Sequence, residues 1–320
     1  MAAPKRISII LAFAGIYVIW GSTYLGILFA IRSIPPLLMA GARFLFAGII
    51  LYLGARIAGA PRSRAVDWRT ALIVGACLLL GGNGGVTLSE QYVPSGLAAL
   101  LVATVPIYIA LLSWIFGMAE RPNAITMLGL AGGFAGVAFL IAPAAHFSSS
   151  GESPRAWIGM SILLCSSLIW SAGSLYSRNV HNASSPFLAA GQQMLCGGTL
   201  LIIGGLIMGE WQRFDPRQIT TVSMMAFIYL VLIGGIVGYV SYTWLLRYCE
   251  PAKVATYAYV NPIVAMLLGV FFAGETLSLR TILAAGLIIG SVAVVITAQQ
   301  FKSKGTSPIA TAIKPIECSR

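Results

Sequence analysis

The sequence predicts an all-α, polytopic membrane protein with ten transmembrane helices arranged as two inverted five-helix repeats. Three observations carry that expectation. Of 320 residues, 58% are hydrophobic and 9% are charged, where soluble domains run about 45–50% and about 25%. With a mean hydropathy of +0.89, the chain has too few polar groups to face water all round. Next, Asp, Glu, Lys and Arg are missing from 7–31, 70–89, 91–119, 122–151, 156–177, 179–209, 218–246, 254–274 and 281–301. A membrane-crossing helix needs about 20 mainly apolar residues. Third, the second half of the chain repeats landmarks of the first.

The spans fall in order at 8–30, 35–55, 68–88, 95–118 and 124–142, then at 156–176, 186–208, 220–245, 252–274 and 280–299. Breakers and caps justify the starts. Pro35-Pro36 opens the second span, Pro94-Ser95 the fourth, Pro186 the seventh and Pro251 the ninth, because proline fits the first helical turn. Asn123 can cap the fifth.

Orientation follows from Lys and Arg. With the N-terminus inside, 14 of them lie in cytoplasmic segments and five in outer loops, with Arg43 left inside a span. Both termini are therefore expected in the cytoplasm of a cell with an inner membrane. The formal charge of +11 is scattered over short connections, as anionic lipid selects, and forms no basic groove for nucleic acid. Cys77, Cys165, Cys196 and Cys249 sit in apolar runs, Cys318 does not, and no Cys/His cluster appears. They read as packing residues, and neither metal nor cofactor is expected. The first apolar run is too long for a cleaved signal segment.

Trp20, Pro36 and Gly41 are matched by Trp170, Pro186 and Gly191, each 150 residues on. Gly81, Pro94, Gly129 and Gly133 meet Gly238, Pro251, Gly286 and Gly290 at an offset of 157. The expected division is 1–143, 144–301 and a cytoplasmic tail at 302–320. Five is odd, so the second unit enters the membrane from the opposite side. Such a pair can open a shared site first to one side and then to the other.

Arg43 is the charge that lipid tolerates least. It can hold an anionic group of a solute in a central cavity, or snorkel to the surface or pair with a carbonyl. Gln193, beside Gln192, occupies the matching place. Tyr17, Trp20 and Tyr24 share one helix face; Tyr17 reads as packing, Trp20 and Tyr24 as cavity residues, and Trp170 repeats Trp20. Tyr239, Tyr242, Tyr257 and Asn261 form further faces, with Asn83 and Thr104 as smaller polar candidates. A lone Thr in such a helix usually bonds its own backbone.

Pro106 and Pro262 lie inside spans four and nine, where each removes a donor and bends the helix, as a hinge or as a fixed, filled bend. Glu120 and Glu275 end those spans and are expected to accept from the free N–H groups of spans five and ten, a structural turn lock ahead of proton coupling. Glu90 is a further candidate for coupling. Gly81-x3-Gly85, Gly129-x3-Gly133, Gly234-x3-Gly238 and Gly286-x3-Gly290 read as packing seams. His146 and His181 fall in loops, which argues against an intramembrane enzyme.

With Trp20-Gly21-Ser22-Thr23, Arg43 in Ala-Gly-Ala-Arg-Phe, Pro106…Glu120 and Pro262…Glu275 in view, the chain resembles the EamA branch of the drug/metabolite transporter superfamily over nearly its whole length, and its first helix is similar to bacterial inner-membrane members. The resemblance implies ten helices, a cavity lined by both halves and movement of small organic solutes such as amino acids or drugs, commonly outward. A departure is Gln193 where the first half has Arg43. The expectation is a secondary transporter with a small organic solute and the lipid bilayer as partners, a proton or ion as candidate co-substrate, and a monomeric or weakly homodimeric state. No Walker-type phosphate loop is present. A channel would want a continuous polar pore, which an asymmetric aromatic cavity does not offer.

Overall fold

The computed structural model of the chain describes residues 6–119, 121–141, 155–180, 185–249, 254 and 256–305. Glu120, Pro251, His146, His181 and the tail beyond 305 lie outside them. All regular structure among the described residues is helical. In chain order the segments are α1 (Arg6–Ala30), α2 (Pro36–Ile57), α3 (Ala65–Ser89), α4 (Ser95–Ile115), α5 (Ala124–Ile141), α6 (Ala156–Asn179) and α7 (Pro186–Ile207). Then come α8 (Thr221–Tyr229, Leu230–Tyr239 and Val240–Tyr248), α9 (Tyr257–Leu268 continued by Gly269–Ala273) and α10 (Leu279–Gly305). Among the described residues, seven helices are long and apolar enough to cross a membrane, namely α1 to α4 and α6 to α8, with shorter apolar helices at Ala124–Phe139, Val260–Ala273 and Leu279–Val295. Side chains such as Leu128 (72% exposed) and Phe271 (76% exposed) point outward, an arrangement suited to hydrocarbon. The chain is a polytopic membrane protein.

Packing is most extensive where α2 crosses α7. A Cβ on Gly48 would stand 3.0 Å from the Leu195 backbone nitrogen, and one on Gly191 would stand 2.8 Å from that of Tyr52. Gly41 and Gly198 are equally tight against Ile202 and Leu45. Small residues let the two backbones touch, and in lipid that van der Waals contact replaces the hydrophobic drive. Elsewhere α1 packs on α8 and α9, α6 packs on α3 and α4, and α5 packs on α10.

The structure corrects several expectations. Helix α4 is not simply bent at Pro106; it is interrupted at Ala103 and Thr104, and Pro106 is the second residue of the piece Val105–Ile115. There its missing N–H leaves no gap. Pro262 does lie inside a helix. Helix α10 continues through Lys302 and Lys304 to Gly305, past the expected tail boundary, since lysines are good helix formers once apolar packing ends. Gly81, Gly85, Gly129, Gly133, Gly234 and Gly238 do meet neighbouring helices, whereas Gly286 and Gly290 have no described atom within 4 Å of an added Cβ. They face outward.

Candidate functional site

Seven helices, α1 to α4, α6, α8 and α9, enclose a cavity of about 80 Å³. Its aromatic end is a contact between both halves of the chain. Trp20 stands edge-on to Trp170, with centroids 5.8 Å apart at 82°, and to Tyr257 at 5.3 Å. Tyr242 closes the group from behind, 4.9 Å from Trp20 and 5.7 Å from Trp170. Edge-to-face rings at such spacings each add roughly 0.5–1.5 kcal/mol beyond their burial. Glycines make the room: a Cβ on Gly82 would strike the Trp170 ring and one on Gly238 the Trp20 ring.

The polar wall centres on Arg43, 3% exposed, which does not snorkel. Its Nη2 donates to Asn83 Oδ1 at 2.7 Å, and its guanidinium lies over the Phe44 ring at 4.4 Å. Among the described residues Arg43 Nε has no acceptor, and Ser167 Oγ is likewise buried without a partner. Both residues line the cavity. Two unused donors beside a buried positive charge suit a ligand rich in acceptors, above all a carboxylate.

Of the residues singled out in the sequence, Trp20, Tyr24, Arg43, Asn83, Trp170, Tyr239, Tyr257 and Asn261 line this cavity. Gln193 is buried behind it and accepts from Tyr239 Oη at 2.8 Å, holding a cavity ring in place. Thr104 donates to the Leu101 carbonyl at 2.6 Å, so its hydroxyl is spent locally. Tyr242, bonded to Ser174 at 3.1 Å, borders a separate void of about 10 Å³ with Arg178. Tyr17 bonds Thr256 at 2.5 Å and serves packing. With its amide oriented to satisfy its neighbours, Asn261 donates to the carbonyls of Tyr17 (3.0 Å) and Tyr257 (3.2 Å).

The lining residues that sequence reasoning missed include Thr23, Val86, Ser166 and Ser167. The pair Ser166-Ser167, one turn before Trp170, was the available signal, because serines three and four residues from a cavity ring share its face. Tyr239 lines the cavity, whereas Tyr242 stands behind the rings of Trp20 and Trp170.

Two carboxylates lock helix starts next to this site. Glu210 accepts from Leu37 N at 3.1 Å and Leu38 N at 2.9 Å. Glu275 accepts from Ser95 N and Oγ, both at 2.7 Å, and from Gly96 N at 3.2 Å. The expected partner of Glu275 was α10; the observed one is α4, whose free N–H groups lie nearer in space. Each Glu follows a glycine in the left-handed region, Gly209 at φ 73° and Gly274 at φ 68°, which turns the chain sharply enough to send the carboxylate sideways. In the turn after α3, Glu90 is buried with no partner for either oxygen among the described residues. Burial pushes its carboxyl well above the usual carboxylate range, Arg43 opposes that rise and Glu275 adds to it.

Residues 7–142 and 157–297 match the EamA-like transporter family. The chain belongs to this family. It is therefore a membrane transporter rather than an enzyme. The EamA-like chain is 38% identical over 286 residues to YedA, an inner membrane transporter of Escherichia coli, covering 89% of each. It is 26% identical over 318 residues to the transporter YvbV of Bacillus subtilis, with 97% of each covered. Protein PecM of Dickeya dadantii is 26% identical over 261 residues, covering 81% of this chain and 82% of PecM. A solved crystal structure superposes with a TM-score of 0.65 at 19% identity, covering 91% of this chain and 98% of the other, a likeness of fold.

Proposed function

We propose that this EamA-like protein is a secondary transporter of the bacterial inner membrane that exports small organic solutes bearing an anionic group and an aromatic or apolar body. The observation that carries the solute class is the cavity itself: Arg43 and Ser167 hold unused donors while Trp20, Tyr24, Trp170 and Tyr257 supply ring faces. Arg43 would take the carboxylate, Asn83 would steady the guanidinium, and the rings would cover the body of the solute.

Alternating access by two inverted five-helix repeats, 1–143 and 144–301, is the mechanism that fits the packing. Exchanging α1 to α5 for α6 to α10 maps the contacts of α1 with α8 and α9 onto those of α6 with α3 and α4. It also maps the crossing of α2 and α7 onto itself, through Gly41, Gly48, Gly191 and Gly198. The family match falls on both halves. In this reading both termini are cytoplasmic, and the Glu210 and Glu275 locks lie at the outer face. Breaking these locks, and the ring contacts at the other end, would expose the cavity to one side at a time.

The test is counterflow in proteoliposomes loaded with unlabelled aromatic monocarboxylates or amino acids and given trace labelled solute outside. Transient accumulation that saturates supports a carrier. Linear, unsaturable flux would indicate a channel, and no flux of any anionic aromatic solute would refute the solute class.

A further inference from the structure

Glu90 extends the cavity stripe of α3. Asn83, Val86 and Glu90 are spaced three and four residues apart, one helix face, and the first two line the cavity. Glu90 is 4% exposed, with neither oxygen hydrogen-bonded. An ionised carboxylate with no donor is strongly disfavoured in such a place, and the neutral acid is the form that burial tolerates. The ionisable groups that act on it come from three elements: Tyr24 on α1, Arg43 on α2 and Glu275 after α9. Helix α6, packed on the same end of α3, presents Gly159 against the Ser89 carbonyl and Ser166 against Gly85, neither of them ionisable.

We propose that Glu90 is a proton-binding site coupled to Arg43, holding its proton more tightly while Arg43 carries an anionic solute and less tightly when Arg43 stands empty. This inference rests on the transport reading above. With Glu90 neutral, the Arg43 charge is left for the solute. With Glu90 ionised, its carboxylate competes for Arg43, and a second negative charge stands near the Glu275 carboxylate that locks Ser95 and Gly96. The charge on Glu90 thus reaches both the binding group and the lock. Anion and proton then bind cooperatively, each raising affinity for the other by the same factor. They cross together as the neutral acid, outward when the solute gradient exceeds the opposing proton gradient.

The test is an infrared pH titration of the full-length protein in lipid nanodiscs, with and without benzoate as the anionic probe. Wild type should show the carbonyl band of a protonated, desolvated carboxyl at neutral pH, absent in Glu90→Gln and present in Glu275→Gln. Removing the opposing cation in Arg43→Gln should move the midpoint of that band to higher pH, which keeps the proposal testable if Glu90→Gln does not fold. Benzoate affinity should weaken about fivefold or more across the titration in wild type and stay flat in Glu90→Gln. A band missing from wild type, or surviving in Glu90→Gln, or unmoved in Arg43→Gln, would overturn the proton site. Failure of benzoate to bind while the band behaves as stated would instead overturn the anionic solute class.

Discussion

Trp20 on α1 and Trp170 on α6 touch edge to face, 5.8 Å between centroids, at positions 150 residues apart in the sequence. The contact joins the two halves of the chain at one end of the cavity, so its strength enters both stability and solute binding. Trp20→Ala and Trp170→Ala should each cut transport sharply. A double-mutant cycle on thermal stability should give a coupling of about 1 kcal/mol. Additive effects would show that the two rings do not act as a unit.

Arg43→Gln should abolish counterflow at an unchanged protein level in the membrane, because the shorter, uncharged amide offers no cation to the solute. Asn83→Leu removes the acceptor at 2.7 Å and should weaken solute affinity with a smaller effect on maximal rate. Equal transport by wild type and Arg43→Gln would remove this side chain from the site.

The lock carboxylates make a separable prediction. Glu210→Ala and Glu275→Ala each leave buried N–H groups without an acceptor and should cost about 1–3 kcal/mol by denaturation in detergent. The sites are distinct, so the double variant should lose about the sum. Glu275→Ala should also raise the fraction of molecules whose cavity is accessible from outside, read by modification of a cysteine placed at Val86.

The crossing of α2 and α7 has no room to spare. Gly48→Leu or Gly191→Leu must push backbone against backbone and should destabilise by about 1–3 kcal/mol or more. Gly54→Leu, on the same helix with no described atom within 4 Å, should be tolerated. Comparable loss of folded protein in all three would mean that the tight crossing is not what holds these helices.

Burial of Glu90 gives stability a pH dependence with a definite sign. Its carboxyl is raised above the ordinary value, so the native state holds a proton that the unfolded chain gives up at about pH 4.3. Between those two points the folded form binds more protons, and stability falls as pH rises. Thermal unfolding across that window should show the fall in wild type and a flatter profile in Glu90→Gln.

Much of this was legible in the sequence because it is local or periodic. Charge-free stretches marked the helices, and Pro36 and Pro186 marked two starts. The matched Gly41 and Gly191 mark where α2 and α7 touch, and the matched Trp20 and Trp170 mark the rings at the cavity. What stayed hidden acts across space. Glu275 caps a helix starting 180 residues earlier in the chain, and Glu210 meets the Leu37 and Leu38 amides from more than 170 residues away. Thr104 and Gln193 are polar in sequence, but the fold spends them on Leu101 and Tyr239. The π-helical turns of α8, Leu230–Tyr239, leave no periodic signature.

The inverted arrangement of the two halves is tested most directly by labelling single cysteines, in a cysteine-free background, with a membrane-impermeant maleimide on intact cells. Gln91, exposed between α3 and α4, and Tyr248, exposed at the end of α8, occupy corresponding connections of the two halves. Gln91→Cys should label from outside and Tyr248→Cys only after permeabilisation. Labelling of both from the same side would contradict the inversion and, with it, alternating access by exchange of the two halves.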